Sequence, residues 1–283
     1  MKAGARVHTA QASWIILSNF FRKIYLQRDL IRNFVVRDLR ARYIGSFMGF
    51  FWSVIHPTVL LASYAFVFMV VFGATAPPNS GTDSYPLFLF CGIIPWLLFQ
   101  DTVQRSSTVI VDNTNLVTKT IFPTEILPLT VMLAGFVNHL IQFAILLVLI
   151  FWLIGQVTVF ILLVPVYLLV LMLFTQGMAW FISSLNVFVR DISQILSVVL
   201  TFWFWFTPIF YSASQAESKF KQFSFVISWN PLAQIVTGYR DCLLARTMPD
   251  IHALAWLSLA ALAIFIAGGL FFRNIKRAFV DVL

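Results

Sequence analysis

The chain has 283 residues, is 60% hydrophobic and only 11% charged, and has a mean hydropathy of +0.89. Soluble domains carry about 25% charged residues, so this composition excludes a water-soluble globular protein. The net charge of +8 and the pI near 9.8 could suit nucleic acid, but basic residues at membrane edges account for the excess without it.

In chain order, the first apolar cluster, residues 14–17, is broken by Ser18 and Asn19 and has no small-residue cleavage site behind it. No secretory signal is evident, and the first long apolar segment is expected to act as an uncleaved insertion signal. Residues 28–44 predict a helix with Ile31, Phe34, Val35 and Leu39 on one face, and with Asp38 and Arg42 spaced to pair. It should lie along the inner membrane surface. Span 1 follows over about residues 47–71 and closes at Ala76-Pro77-Pro78-Asn79-Ser80-Gly81. Span 2 is apolar over 85–99 and must run on through Asp101, Gln104 and Arg105, with Asp101 and Arg105 one turn apart on a single face. Residues 126–189 contain no Asp, Glu, Lys or Arg for 64 positions. As one helix that stretch would be about 96 Å long, three times the roughly 30 Å hydrocarbon core. It therefore folds back at Gly155-Gln156, giving spans 3 (127–154) and 4 (157–185). Spans 5 (192–211) and 6 (253–272) complete an all-α polytopic set of six transmembrane helices. The apolar runs are continuous, whereas barrel strands alternate. Between spans 5 and 6, residues 212–252 are too polar to cross, yet Leu232, Ile235, Val236, Tyr239 and Leu243 form one apolar stripe after Asn230-Pro231. One or two short re-entrant helices are predicted there.

Six spans put both termini on one side. Fifteen Lys and Arg residues fall on that face against four on the other (Lys219, Lys221, Arg240, Arg246), which predicts cytoplasmic termini. The chain divides into a cytoplasmic N-terminal region (1–44) and a six-span domain (45–283) with a cytoplasmic tail at 273–283.

The chemistry is defined largely by what the sequence lacks. No Gly-Lys pair occurs, so no P-loop can be built and the chain is not expected to hydrolyse ATP itself. His8, His56, His139 and His252 have no metal-ligand spacing, and Cys91 and Cys242 make no metal framework. His56 and His139 fall inside spans, where a hydrogen bond to a neighbouring helix is the favoured reading. Spans 1, 3, 4, 5 and 6 contain no Asp, Glu or Lys, which disfavours ion-driven transport and points to an external motor with a docking surface. The loop 112–125 is the candidate dock. Asp112-Asn113-Thr114-Asn115 offers capping groups, residues 116–122 can form two helical turns, and Pro123 stops them.

The run Arg37-Asp38-Leu39-Arg40-Ala41-Arg42-Tyr43, followed by Gly45-Ser46-Phe47-Met48-Gly49, Trp52 and Pro57, resembles the N-terminal signature of type-2 ABC exporter permeases of the polysaccharide-export branch. Three further matches follow in order. Asn115-Leu116 with Lys119 and Phe122-Pro123-Thr124-Glu125 resembles the family's coupling loop; Arg190-Asp191 resembles its second cytoplasmic turn; Trp229-Asn230-Pro231 with Tyr239-Arg240-Asp241 resembles its outer gate segment. The tail 272–279 is similar too. The resemblance implies a homodimeric permease in the bacterial inner membrane that works with two copies of a separate ATP-binding subunit. ATP and Mg would bind to that partner and no cofactor to this chain. The cargo would be a lipid-linked polysaccharide such as O-antigen, capsule or teichoic acid. It also implies that the helix carrying Arg37, Asp38, Arg40, Arg42 and Tyr43 packs near the ATPase and that spans 1 and 5 line the channel. Their rings, Phe51, Trp52, Tyr64 and Phe68 with Phe202, Trp203, Trp205 and Phe206, could stack on sugar C–H faces or form a lipid-facing belt. Gly45 and Gly49 could allow close helix approach or make a bend. Two other readings remain: an ABC exporter of a drug or small lipid, and a membrane-embedded glycan polymerase or acyltransferase built on Arg240, Asp241, Arg246 and His252.

Overall fold

A computed structural model describes residues 26–43, 48–78, 80–119, 122–156, 158–213, 215 and 224–283. The described elements are helical: α1 (Arg28–Tyr43), α2 (Trp52–Val71), α3 (Tyr85–Asp112), α4 (Thr114–Lys119), α5 (Ile126–Ile154), α6 (Val159–Phe188), α7 (Ile192–Phe206), α8 (Ser224–Ser228), α9 (Pro231–Arg240), α10 (Ile251–Ile275) and α11 (Phe279–Val282). The chain is all-α and polytopic: five helices, α2, α3, α5, α6 and the unit over Ile251–Val282, are long and apolar enough to cross a membrane.

Local chemistry sets the ends. Pro86 and Pro231 stand in the first turns of α3 and α9, and Pro165 opens the α-helical part of α6 after its 3-10 start at Val159–Leu163, positions where a missing N–H removes no α-helical bond. Gly155 closes α5 with φ 74°, and its N–H reaches back to the Ile150 and Phe151 carbonyls, so the charge-free window divides where the sequence predicts. Asp250 caps α10 by accepting from the His252 and Ala253 N–H groups.

The bundle is built around α3, which packs against both α5 and α6; α10 covers the far side of α6, and α7 lies along α3 and α6. In the apolar window of α3 78% of residues are buried, against 6% in α2, so α2 is a peripheral helix resting on α3 and α5. The tightest crossing joins α6 to α10: a Cβ on Gly268 would stand 2.1 Å from the Gly177 carbonyl oxygen, a separation only glycine permits.

Predicted span 5 needs correction. Its helix ends at Phe206 rather than at residue 211, because Thr207 turns extended and Pro208 cannot continue the ladder. Fifteen residues of α7 reach about 22 Å, short of a full crossing. The dock helix also shifts, to Thr114–Lys119, leaving Phe122 and Pro123 non-helical. At Gly49 φ is +49° and a Cβ would meet nothing within 4 Å, so within this chain it serves a bend; Gly45 lies outside the described residues, as do Lys219 and Lys221.

Candidate functional site

The first candidate surface is the basic end, where α1, α4, the turn after α6 and the tail converge. Val117 of α4, Leu127, Trp180, Val187, Phe272 and Phe279 share one apolar cluster, so a helix of only six residues is held by tertiary packing. Phe122 packs its ring against Phe34 of α1 at 5.4 Å, and Arg37 lies over the Phe34 ring while donating to Asn113 Oδ1 at 3.3 Å. Leu116 is half-buried, and Pro123 accepts the Ile126 N–H at 3.0 Å. Asn115, Lys119, Arg190 and Asp191 are exposed; Arg40 is exposed on α1. Glu125 is turned inward: Lys276 donates to its carboxylate at 2.9 Å, and its carbonyl accepts from Trp180 Nε1 at 3.1 Å. The predicted dock residues thus divide into an exposed set and a set that holds the loop to the tail. The Tyr43 side chain lies outside the described residues.

The two acid–base pairs predicted within helices lock together across helices. Asp38 pairs with Arg42 at 3.3 Å and Asp101 with Arg105 at 3.7 Å, while Arg42 reaches Asp101 at 3.1 Å and Arg105 binds Asp38. The result is a closed four-charge ring that fastens α1 to α3. Burial raises the Asp38 carboxyl above its ordinary value, opposed by the charges of Arg42 and Arg37.

The aromatic set also splits. Phe51, Trp52, Phe202, Trp205 and Phe206 are exposed. Tyr64 and Phe68 instead pack on Phe210 at 5.1 and 4.4 Å, and Tyr64 meets Phe204 at 6.0 Å, bringing α2 beside the C-terminal end of α7. Trp203 turns into the bundle against Phe99 and Phe174.

The segment after α7 is the second candidate surface. Asn230 ties it down three ways: its Oδ1 accepts from Leu232 N (3.1 Å) and Trp203 Nε1 (3.0 Å), and its Nδ2 donates to Thr207 Oγ1 (3.2 Å). Next to it Trp229 is 85% exposed. The predicted stripe of α9 is buried throughout, and Tyr239 Oη hydrogen-bonds His139 Nε2 at 3.2 Å, the inter-helix role expected for that histidine. Arg240 is only 6% exposed and has no carboxylate partner among the described residues. Its guanidinium donates to Pro208 O and Ile209 O at 2.6 Å each and to Phe88 O at 3.3 Å, and sits 3.5 Å over the Phe88 ring. The carbonyls of the turn just after α7 are therefore satisfied by a side chain. The cluster that a polymerase or acyltransferase would need is dispersed: Arg240 is enclosed, Arg246 binds Gln156, and the exposed His252 gives its N–H to the Asp250 cap. No group of three or more His, Cys, Asp or Glu suited to a metal occurs among the described residues.

Sequence reasoning anticipated each half of the charge ring but not its closure, which depends on the angle between α1 and α3. The Arg240 cage carried no signal beyond an arginine in an apolar stripe. Comparison with known proteins agrees with this architecture: the model of a family described as "ABC-2 type transporter" matches residues 30–244. The O-antigen export system permease protein RfbA of Myxococcus xanthus is 30% identical over 92% of this chain and 97% of its own length. A protein of the same name from Klebsiella pneumoniae is 27% identical, covering 90% and 95%. The polysialic acid transport protein KpsM of Escherichia coli is 23% identical, covering 89% and 96%.

Proposed function

This chain belongs to the ABC-2 type transporter family, and on that premise we propose that it is the membrane permease subunit of an ATP-driven exporter of a lipid-linked polysaccharide. The observation that carries the reading is full-length similarity, at 30% identity, to an O-antigen export permease. The chain's own features support it. The sequence holds no P-loop, so the motor is a separate ATP-binding subunit, with ATP and Mg bound there. Asn115, Lys119, Arg190 and Asp191 offer that subunit an exposed docking face whose backbone is braced from behind by Phe122 and the Glu125–Lys276 pair.

In this reading the chain sits in the bacterial inner membrane with both termini cytoplasmic, and two copies pair through α2 and α7. Support comes from the two helices' uncovered aromatic faces: Phe51, Trp52, Phe202 and Phe206 are available to a partner copy and a glycan path, Trp205 is half exposed while stacking on Phe210, and Tyr64, Phe68 and Trp203 are already used within the protomer. A motor stroke at α4 would pass to α1 and α3 through the charge ring. At the outer end, α9 is the gate element, tied to α7 by Asn230 and Arg240.

The test is genetic and biochemical together. Deleting the gene should abolish surface polysaccharide, and the chain should copurify with an ATP-binding subunit. Export that persists after ATP depletion, or a deletion strain with normal surface glycan, would overturn the proposal.

A further inference from the structure

A cavity of about 310 Å³ opens between α2, α3 and α5. Its wall is polar for a membrane bundle. Arg42 and Asp101 stand at its basic end, His56 and Trp52 come from α2, and Asn138 and Gln142 come from α5. The two charges face each other at 3.1 Å, so the wall carries no net charge. That disfavours a phosphate or a cation and leaves a neutral ligand rich in hydroxyl or amide groups. Gln142 Oε1 is buried with no hydrogen-bond partner among the described residues. A bare buried acceptor costs free energy, which a donor met by a turn of the Gln142 side chain into the cleft would offset. Trp52, nearly half exposed at the rim, offers a flat apolar face. An indole face beside planar amide, imidazole and carboxylate groups matches a sugar ring, whose faces are C–H and whose edge is hydroxyl. The volume lies at the lower end of the range for ligand sites, enough for one ring.

We propose that this cleft holds a single neutral pyranose ring, Trp52 stacking on its face and Gln142, Asn138 and Asp101 taking its edge. The inference rests on the exporter reading above and places a sugar site inside each protomer, entered beside Trp52 at the edge of the exposed face of α2. Its floor is His139, already bonded to Tyr239, so an occupied cleft touches the same residue as the outer segment.

The test uses the permease copurified with its ATP-binding subunit in phosphatidylcholine nanodiscs. The probes are diazirine-bearing methyl glycosides of glucose, galactose, mannose and N-acetylglucosamine. At least one should label peptides containing Trp52 or residues 138–142, be displaced by the parent sugar, and label Gln142→Leu and Trp52→Leu at least tenfold less. Labelling absent with all four probes, confined to other peptides, or unchanged in both variants overturns the proposal. So does a phospholipid retained by the wild type in native mass spectrometry and lost from Gln142→Leu. The exporter reading is judged separately: if gene deletion abolishes surface glycan while the probes miss the cleft, only the cleft proposal fails.

Discussion

Arg240 makes a sharp prediction because two of its partners, the Pro208 and Ile209 carbonyls, receive no other hydrogen bond among the described residues. Replacing it with Met keeps much of the apolar stem and removes the guanidinium. The Pro208 and Ile209 carbonyls, each bound at 2.6 Å, then lose a charged donor inside the bundle. A stranded buried carbonyl costs about 1–3 kcal/mol, so two cost about 2–6 kcal/mol. Relief of the guanidinium's own burial offsets part of that, and a net loss of about 2 kcal/mol is a conservative figure. The reporters are built in. The chain's two cysteines, Cys91 and Cys242, are both free and almost wholly buried, and both flank this arginine: Cys242 lies two residues on, and a Cβ on Gly92, next to Cys91, would touch its Nη2. If thiol labelling proceeds through local opening, 2 kcal/mol raises the rate of modification by methyl methanethiosulfonate about 30-fold. Arg240→Lys should also open the site, since one ammonium cannot serve both carbonyls in fork geometry. Labelling of both cysteines in Arg240→Met within about threefold of wild type would refute the role assigned to this side chain.

Three other outcomes follow from the packing. Gly268→Ala should destabilise the purified permease by about 1–3 kcal/mol, because its methyl meets a backbone carbonyl; Gly269→Ala, whose nearest neighbour is the Trp180 ring at 3.4 Å, should melt like wild type. A double-mutant cycle on Asp38→Asn and Arg105→Gln should show coupling of about 1 kcal/mol in thermal unfolding, the scale of a partly exposed pair, and zero coupling would dissolve the ring. Lys119→Glu should lower partner-dependent ATPase stimulation at unchanged melting temperature, whereas Glu125→Gln should lower the melting temperature, with charge reversal of both Glu125 and Lys276 restoring it; equal effects on both readouts would erase the distinction between dock and brace.

The spans were legible because lipid leaves few choices: a long apolar run must be helical, and Gly155 and the Pro-rich turn before α3 mark reversals by their own backbone chemistry. Helix α1 could be read from Ile31, Phe34 and Val35, which do face α5 and its surroundings. The early end of α7 could not be read from hydropathy, since residues 202–206 are as apolar as any span; the stop comes from Pro208 and from an acceptor set completed 32 residues later by Arg240. The same limit applies to Glu125. Its exposure in a dock is a fair expectation from a polar loop, but the tail returns Lys276 across 151 residues to hold it. Spacing rules see one helix at a time, whereas these contacts depend on how helices cross.

The placement of polar groups inside the bundle bears on mechanism. Scarce intramembrane charge argues against a coupling-ion site, and the charges that are present reinforce the point. The Arg42–Asp38–Arg105–Asp101 ring neutralises itself, and Arg240 is saturated by carbonyls, so neither has a free valence for a transported ion. Both sit where a helix must be held to a neighbour: α1 to α3 at the basic end, and the broken end of α7 to α3 and α9 at the other. Charge in this chain thus serves as a fastener at the ends of the bundle. What lies between them is neutral, in the aromatic faces of α2 and α7 and in the amides of α5 beside the cleft. On the exporter reading proposed above, such rings and amides would have little to grip an ion and much to offer a succession of sugar residues.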